Sequence, residues 1–364
     1  MPKTGSAWQM TKPNAPLTLT KMDLPEPGPG EVRLQIQGCG LCHTDLGFLY
    51  GGVRTRKPLP LTLGHEIVGT VEATGPDSKL QSGNSLQPGQ HVVVPAVLPC
   101  GECALCRAGR DNACLAQKMP GNDQDGGFAT HITVPARSLI PVDQAPAGHE
   151  LYHLAVVADA VTTPYQALLR GKVGANDPVV VIGVGGVGMF GVQIAAAMGA
   201  HVLAVDLDDA RLDQAKTYGA SATINTKGQE DDAARKAVQE EAKKAGFPRH
   251  GWKVFEMSGT APGQRLAFSL VNHTGTLGLV GFTRDKVEVR LSNLMALDAD
   301  AFGSWGCSPR HYPAVIDLIA QGKVQVKPFV TRYPLSEINA VLEMAHHGQL
   351  KTRPVLVPAC TPAP

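Results

Sequence analysis

The sequence predicts an α/β protein of two domains, one β-rich and one built on a doubly wound parallel sheet. Three observations carry that prediction. At 364 residues the chain exceeds one ordinary core. From residue 17 to about 140, short β-rich stretches such as EVRLQIQG, EIVGTVEATG, QHVVVPAV and FATHITVPA are punctuated by Gly, Pro and Asn, the rhythm of a mostly antiparallel domain. Beyond that, strands alternate with helices, as a parallel sheet requires.

The elements follow in order. ELYHLAVVADAVTTPYQALLRG has the length and apolar spacing of helices. DPVVVIGVGGVGMFGVQIAAAMGAHVLAVDLDDARLDQAKTYGA reads as a buried strand, a glycine turn, an apolar helix, a second strand and a charged helix. EDDAARKAVQEEAKKAG continues as a surface helix with a solvated charged face, and WKVFEMSG and GTLGLVGF are further strands. After about residue 300, YPAVIDLIAQGKV and LSEINAVLEMAHHG are helical and RPVLVPA is a last strand. No repeat goes beyond the strand–helix alternation, and the termini look loose.

Composition excludes some functions. The 33 basic and 32 acidic residues nearly cancel, which leaves no field to hold nucleic acid or an anionic membrane. No apolar run reaches bilayer length, and the opening MPKTGSAWQMTKPNAP has no apolar signal core. The expectation is a soluble, cytoplasmic protein.

Half of the eight cysteines lie in PCGECALCRAGRDNAC, as Cys100, Cys103, Cys106 and Cys114. Thiols spaced in this way converge from two turns onto one tetrahedral ion, and zinc is the best fit. An iron–sulfur cluster is the rival, but the fourth cysteine and following proline of a ferredoxin run are missing. With all four positions taken, this metal is structural. Arg107 and Arg110 lie where they offset the thiolate charge.

Gly183, Gly185, Gly186 and Gly188 form G-x-G-G-x-G between an apolar strand and an apolar helix. Asp206 follows about twenty residues on, as the dinucleotide fingerprint requires. The first glycine permits the tight turn, the middle ones admit a pyrophosphate, and Gly188 lets the helix pack on the strand. The helix N-terminus offers free N–H groups to phosphates. Asp206 accepts from ribose hydroxyls and repels a 2′-phosphate, so NAD is favoured over NADP.

A second constellation, Cys42, His43, Thr44, Asp45, His65 and Glu66, lies in GCGLCHTDLGFLYGG and LTLGHEIVG. A catalytic zinc needs three protein ligands and an open position, and Cys42 and His65 supply two. The nearby loop YGGVRTRKPLP carries Arg54, Arg56 and Lys57, which either hold an anionic handle on a substrate or form a solvated basic loop.

The cysteine lobe, GHE, CHTD and the late G-x-G-G-x-G together resemble the zinc-dependent medium-chain alcohol dehydrogenases over essentially the whole chain. The resemblance implies a chaperonin-10-like catalytic domain of residues 1–158 and 301–364 around a Rossmann NAD-binding domain of 159–300. It implies an enzyme with two zinc ions per chain, NAD as cofactor and a small-molecule alcohol as substrate. Asp159 in VVADAVTTPYQAL matches the third catalytic zinc ligand; Glu66 matches a transient ligand or a group standing behind the ligands, and Asp45 one that orients His65. Thr44 matches the hydroxyl that takes the alcohol proton. Thr163, Val187, Val280, Gly281 and Phe282 match cofactor contacts, and Arg211 lies where a side chain reaches the adenosine end. Many relatives carry a His five residues after the zinc Cys; here Gly47 stands there, which leaves the proton relay open beyond Thr44. A homo-oligomer, tetrameric by analogy, is expected.

Within that family, CHTDLGFLYGGVRTRKPLPLTLGHE, VVPAVLPCGECALC and KMPGNDQDGGFATHITVPARS resemble enzymes that oxidise a ring hydroxyl allylic and β to a CoA thioester. The basic loop is then the candidate for the CoA phosphates. A dehydrogenase of free alcohols or polyols is the nearest alternative, and a non-catalytic zinc protein that binds NAD is a more distant one.

Overall fold

Why the two ligand-bearing segments meet follows from one antiparallel ladder. In this computed structural model, which describes residues 3–142 and 146–359, the strand Glu31–Gly40 pairs with Glu66–Thr74 so that Gly40 lies opposite Glu66. Cys42 therefore leaves one end of the ladder just where His65 enters it. The strand Arg353–Val357 joins on the other side with Val355 opposite Gly40, which carries Arg353 from the far end of the chain to the same place.

These strands belong to a sheet in the order Val330–Pro334, Arg353–Val357, Glu31–Gly40, Glu66–Thr74, His91–Val94, Ile140–Pro141, with His131–Pro135 also on Glu31–Gly40. Residues of the ladder, among them Leu34, Ile36, Ile67, Val92 and Val94, form its core together with Phe128. The N-terminal stretch, expected loose, instead forms the strand Thr4–Met10, paired with Thr18–Asp23 and Leu61–Thr62. Ala7 and Met10 are buried there, and that apolar anchorage orders it.

The chain divides into two compact units. One runs through Ala160 and takes in Gly306–Ile316 and the chain from Val326; the other comprises Val161–Trp305 and Asp317–Gln325. In the second, six parallel strands lie in the order Ala222–Asn225, His201–Asp206, Pro178–Ile182, Lys253–Glu256, Thr276–Leu279, Asp300–Gly303. Strand order thus reverses beside Pro178–Ile182, which is buried along its whole length. The last strand, Asp300–Gly303, had no clear signal in the sequence and straddles the expected boundary at residue 300. The helix Asp231–Lys244 buries Ala234, Val238 and Ala242 at a four-residue spacing and exposes most of its charged residues.

One expected helix differs. Leu151–Ala158 is a 3-10 segment, followed by the α-helix Thr162–Arg170. Residues 153–158 are all buried, so the segment is packed on all sides rather than on one stripe. Among the described residues, no helix is long and apolar enough to cross a membrane.

Candidate metal centres and dinucleotide turn

Cys42, His65, Glu66 and Asp159 converge, with one ligand atom from each lying within 4.8 Å of the others. Cys42 stands at the N-terminal cap of the helix His43–Leu49, and Asp45, three residues on, reaches back to it. Asp45 Oδ2 accepts from the Cys42 amide at 3.0 Å, Oδ1 accepts from the Gly64 amide at 3.0 Å, and Oδ1 lies 3.4 Å from His65 Nδ1. One buried carboxylate thereby holds both ligand-bearing turns. Gly64 makes the second turn possible: its φ is +94°, and a Cβ there would lie 2.7 Å from Cys39 Sγ and 2.8 Å from Phe128. Asp159 is placed through its neighbour, since the Ala158 carbonyl accepts from Tyr312 Oη at 2.5 Å and from the Ala96 amide at 3.2 Å.

Asp159 Oδ2 lies 3.6 Å from His65 Nε2 and 3.9 Å from Cys42 Sγ, and Thr44 Oγ1 lies 3.7 Å from the same sulfur. Both ring nitrogens of His65 are buried without a hydrogen bond, as are both carboxylate oxygens of Glu66. Glu66 instead forms an ion pair with Arg353, Nη1 to Oε1 3.1 Å, whose orientation does not meet hydrogen-bond geometry. Gly40 leaves room for that carboxylate, because a Cβ on it would collide with Glu66 Oε2.

Burial pushes the Cys42 thiol up, but Arg353 and His65 outweigh it and draw it down. Burial pushes the His65 imidazolium down, yet Asp45 and Asp159 hold it well above its ordinary value. Burial drives Glu66 well above the carboxylate range against the pull of Arg353. A thiol, an imidazole and a carboxylate whose ligand atoms converge suit zinc with one position open. Glu66, within the same 4.8 Å, is a fourth candidate.

The thiol quartet fits a closed site. Cys103–Cys106 and Cys100–Cys114 are 3.4 and 3.5 Å apart, and Cys103–Cys114 and Cys100–Cys106 are 3.8 and 3.9 Å apart. Zinc–sulfur bonds of about 2.3 Å give a tetrahedron with edges of roughly 3.8 Å. One ion fits, and four sulfurs this close leave no room for an iron–sulfur cluster. Donation from the Cys106 backbone holds the Cys103 thiol down at about 6. Arg107 donates to the Glu102 carbonyl, while Arg137, unmarked in the sequence, donates to that of Cys100.

In the parallel sheet, Gly183 has a φ of +82°, and a Cβ on it would lie 2.6 Å from Ser258 Cα. A Cβ on Gly188 would collide with the Gly183 carbonyl, so helix Gly188–Ala197 starts tight against the strand. Gly185 leaves its surface open, Arg211 Nη1 being 3.8 Å from where its Cβ would be. Gly186 and Val187 complete the turn. Asp206 does more than the fingerprint foretells: Oδ2 accepts from the Val184 amide at 2.7 Å, and Oδ1 from the Leu207 and Asp208 amides at 2.8 and 3.1 Å. Arg211 lies 3.8 Å from Oδ1. Thr163 sits in the first turn of Thr162–Arg170, and Val280, Gly281 and the exposed Phe282 follow the strand Thr276–Leu279.

The basic loop is partly neutralised. Arg56 pairs with Asp123 at 3.3 Å and Lys57 with Asp125 at 2.5 Å, while Arg54 is exposed. Sequence reasoning missed Arg353. Its only local signal is a cation leading a buried strand, and the register that brings it to Glu66 cannot be read from one segment.

Residues 28–144 match the alcohol dehydrogenase GroES-like domain, and residues 186–321 match the zinc-binding dehydrogenase domain. An alcohol dehydrogenase of Geobacillus stearothermophilus is 32% identical over 342 residues, covering 94% of this chain and 96% of that protein. The fold matches acetophenone reductase from Geotrichum candidum, solved in complex with NAD, with a TM-score of 0.83 and 30% identity over 98% of each chain. It matches an alcohol dehydrogenase from Thermotoga maritima with a TM-score of 0.87 and 25% identity, over 98% of this chain and 100% of the other. The class is that of the zinc-binding dehydrogenases, a GroES-like domain joined to a Rossmann-like parallel sheet. Within it, the chain belongs to the medium-chain zinc-dependent alcohol dehydrogenase family and is an oxidoreductase.

Proposed function

We propose that the protein oxidises a secondary alcohol to a ketone, with NAD as hydride acceptor and two zinc ions per chain, one catalytic and one structural. The observation that carries this is the convergence of Cys42, His65 and Asp159, with both ring nitrogens of His65 buried and without a hydrogen bond. Zinc held by these three supplies Lewis acidity to a substrate oxygen, and NAD held at the glycine turn, with Thr163, Val187, Asp206, Arg211, Val280, Gly281 and Phe282, supplies the acceptor. The protein's own part is to orient and to move a proton. Asp45 fixes the His65 ring through Nδ1, leaving Nε2 for the ion. Thr44 Oγ1 takes the hydroxyl proton of the alcohol and passes it to water, since Gly47 offers no side chain to carry it further. Arg353 offsets the Glu66 charge beside the ligands.

For the substrate, we infer 6-hydroxycyclohex-1-ene-1-carbonyl-CoA, oxidised to its 6-oxo enone in anaerobic benzoyl-CoA degradation. The stretches around CHTDLGFLYGGVRTRKPLPLTLGHE support it, and Arg54, together with Arg56 and Lys57, is the candidate contact for the CoA phosphates. A relative acting on acetophenone, a ketone beside an unsaturated ring, agrees with such a product. The pairing of Arg56 and Lys57 with Asp123 and Asp125 favours the second reading, a free alcohol or polyol. NADH formation from the thioester against cyclohex-2-enol separates them: turnover of the thioester alone is expected, and equal or better turnover of the free alcohol refutes the CoA reading while leaving the zinc and NAD chemistry in place.

A cytoplasmic homo-oligomer, tetrameric by analogy, completes the proposal. Exposed Leu291 and Met295 and the edge strand Asp300–Gly303 support self-association. A monomeric mass by light scattering refutes it.

A further inference from the structure

The parallel sheet holds a buried acid that the proposed chemistry leaves unused. Glu256 ends the strand Lys253–Glu256 and is fully buried. Its Oε1 accepts from the Ser258 amide at 2.8 Å, Ser258 Oγ at 2.5 Å and the Gly259 amide at 3.0 Å. Its Oε2 is equally buried and has no hydrogen-bond partner. A Cβ on Gly281 would lie 2.6 Å from that free oxygen, so the turn after the neighbouring strand lies directly upon it. The Glu256 carbonyl accepts from the Val280 and Gly281 amides at 2.9 and 3.1 Å. One residue thus ties together the turns that follow two adjoining strands. Burial holds this carboxyl above its ordinary value, against donation from Ser258 and Gly259 that favours the charged form.

Its place in the sheet says which part of a ligand it meets. In a doubly wound sheet the ligand lies across the carboxyl ends of the strands where strand order reverses. Here that point lies between Pro178–Ile182 and Lys253–Glu256, and the Ser258 turn packs against Gly183 itself. Asp206 ends the strand on one side of the reversal, the ribose side of the fingerprint, and Glu256 ends the strand on the other. The second half of a dinucleotide, its nicotinamide half, falls on the Glu256 side. That ring is cationic when oxidised and neutral when reduced.

We propose that Glu256 is a positioning residue whose buried charge makes the site prefer the oxidised, cationic nicotinamide over the reduced one. The proposal rests on the NAD reading above. A buried anion, here steadied by hydrogen bonds on one oxygen only, acts on a nearby cation in a low-dielectric site more strongly than it would in water.

The test is calorimetric binding of NAD+, NADH and ADP-ribose, which lacks the nicotinamide, to the wild type and to E256Q. Gln keeps an Oε1 for the three donors and removes the charge. Expected is a roughly tenfold loss of NAD+ affinity with NADH and ADP-ribose changed by less than about twofold. Equal loss of all three, or an unchanged NAD+/NADH ratio, overturns the proposal. S258A removes one donor and keeps the charge, so its NAD+/NADH ratio is expected to stay within about twofold of wild type. If S258A abolishes the preference, the role is one of turn shape and the proposal fails, whether or not E256Q folds. A wild type that binds none of the three ligands refutes the NAD reading itself.

Discussion

Arg353 Nη1 lies 3.1 Å from Glu66 Oε1, with 7% and 0% of the two side chains exposed. The register of two ladders, Gly40 opposite both Glu66 and Val355, makes this meeting unavoidable. A buried pair is weak evidence for stability, but breaking it leaves an uncompensated charge. R353M is therefore expected to cost about 3 kcal/mol or more in urea unfolding of the zinc-loaded protein. E66Q/R353M is expected to recover most of that loss, and equal stability of the single and double variants contradicts the account.

Asp45 holds both ligand-bearing turns through two amide bonds and the His65 ring. D45N keeps the shape but sets an NH2 donor against one of the two backbone amides and removes the charge facing Nδ1. Such changes typically cost about 10–100-fold in metal affinity. Zinc competition with a chromophoric chelator measures it, and unchanged affinity removes Asp45 from the site.

Asp206 has two tasks, shaping the turn through three backbone amides and facing a ribose. D206A is expected to weaken NAD+ about tenfold while narrowing the gap to NADP+. Fluorescence titration with both cofactors reads the ratio. A uniform loss with the ratio preserved leaves only the structural task.

His131 links pH to stability. It is buried, hydrogen-bonded to Thr130 through Nδ1, and 3.4 Å from Glu72, which also meets Lys3 and Arg33. Burial lowers its pKa despite Glu72. A histidine lowered in the folded state takes its proton first in the unfolded chain. Stability is then greatest above the ordinary histidine value of about 6.5 and falls as pH drops from there to the folded pKa. The wild type is expected to lose more stability than H131Q between those values, and parallel curves contradict it.

Local motifs were legible because their chemistry is local. The Cys100 to Cys114 spacing, the Gly183 to Gly188 turn and the Cys42 and His65 strings each sit within one short segment. Asp159 needed the family resemblance, because a carboxylate after a buried apolar run carries no mark of ligation. Arg353 and Glu256 escaped notice because their roles depend on register and strand order. The strand Thr4–Met10 escaped because TGSAWQM has little apolar alternation and is ordered by partners. Leu151–Ala158 carries the apolar content of a helix, and nothing in that content marks it as 3-10.

The central claim is that this chain builds two separate zinc centres, one open and one closed. Zinc content by mass spectrometry in wild type, D159A and C103S, with NAD+ binding measured alongside, tests it most directly. The account predicts two zinc ions in the wild type. D159A is expected to keep one ion, its fold and NAD+ binding without turnover, and C103S to lose the other ion with a destabilised lobe. Two ions retained in D159A, or turnover retained without the second, would contradict it.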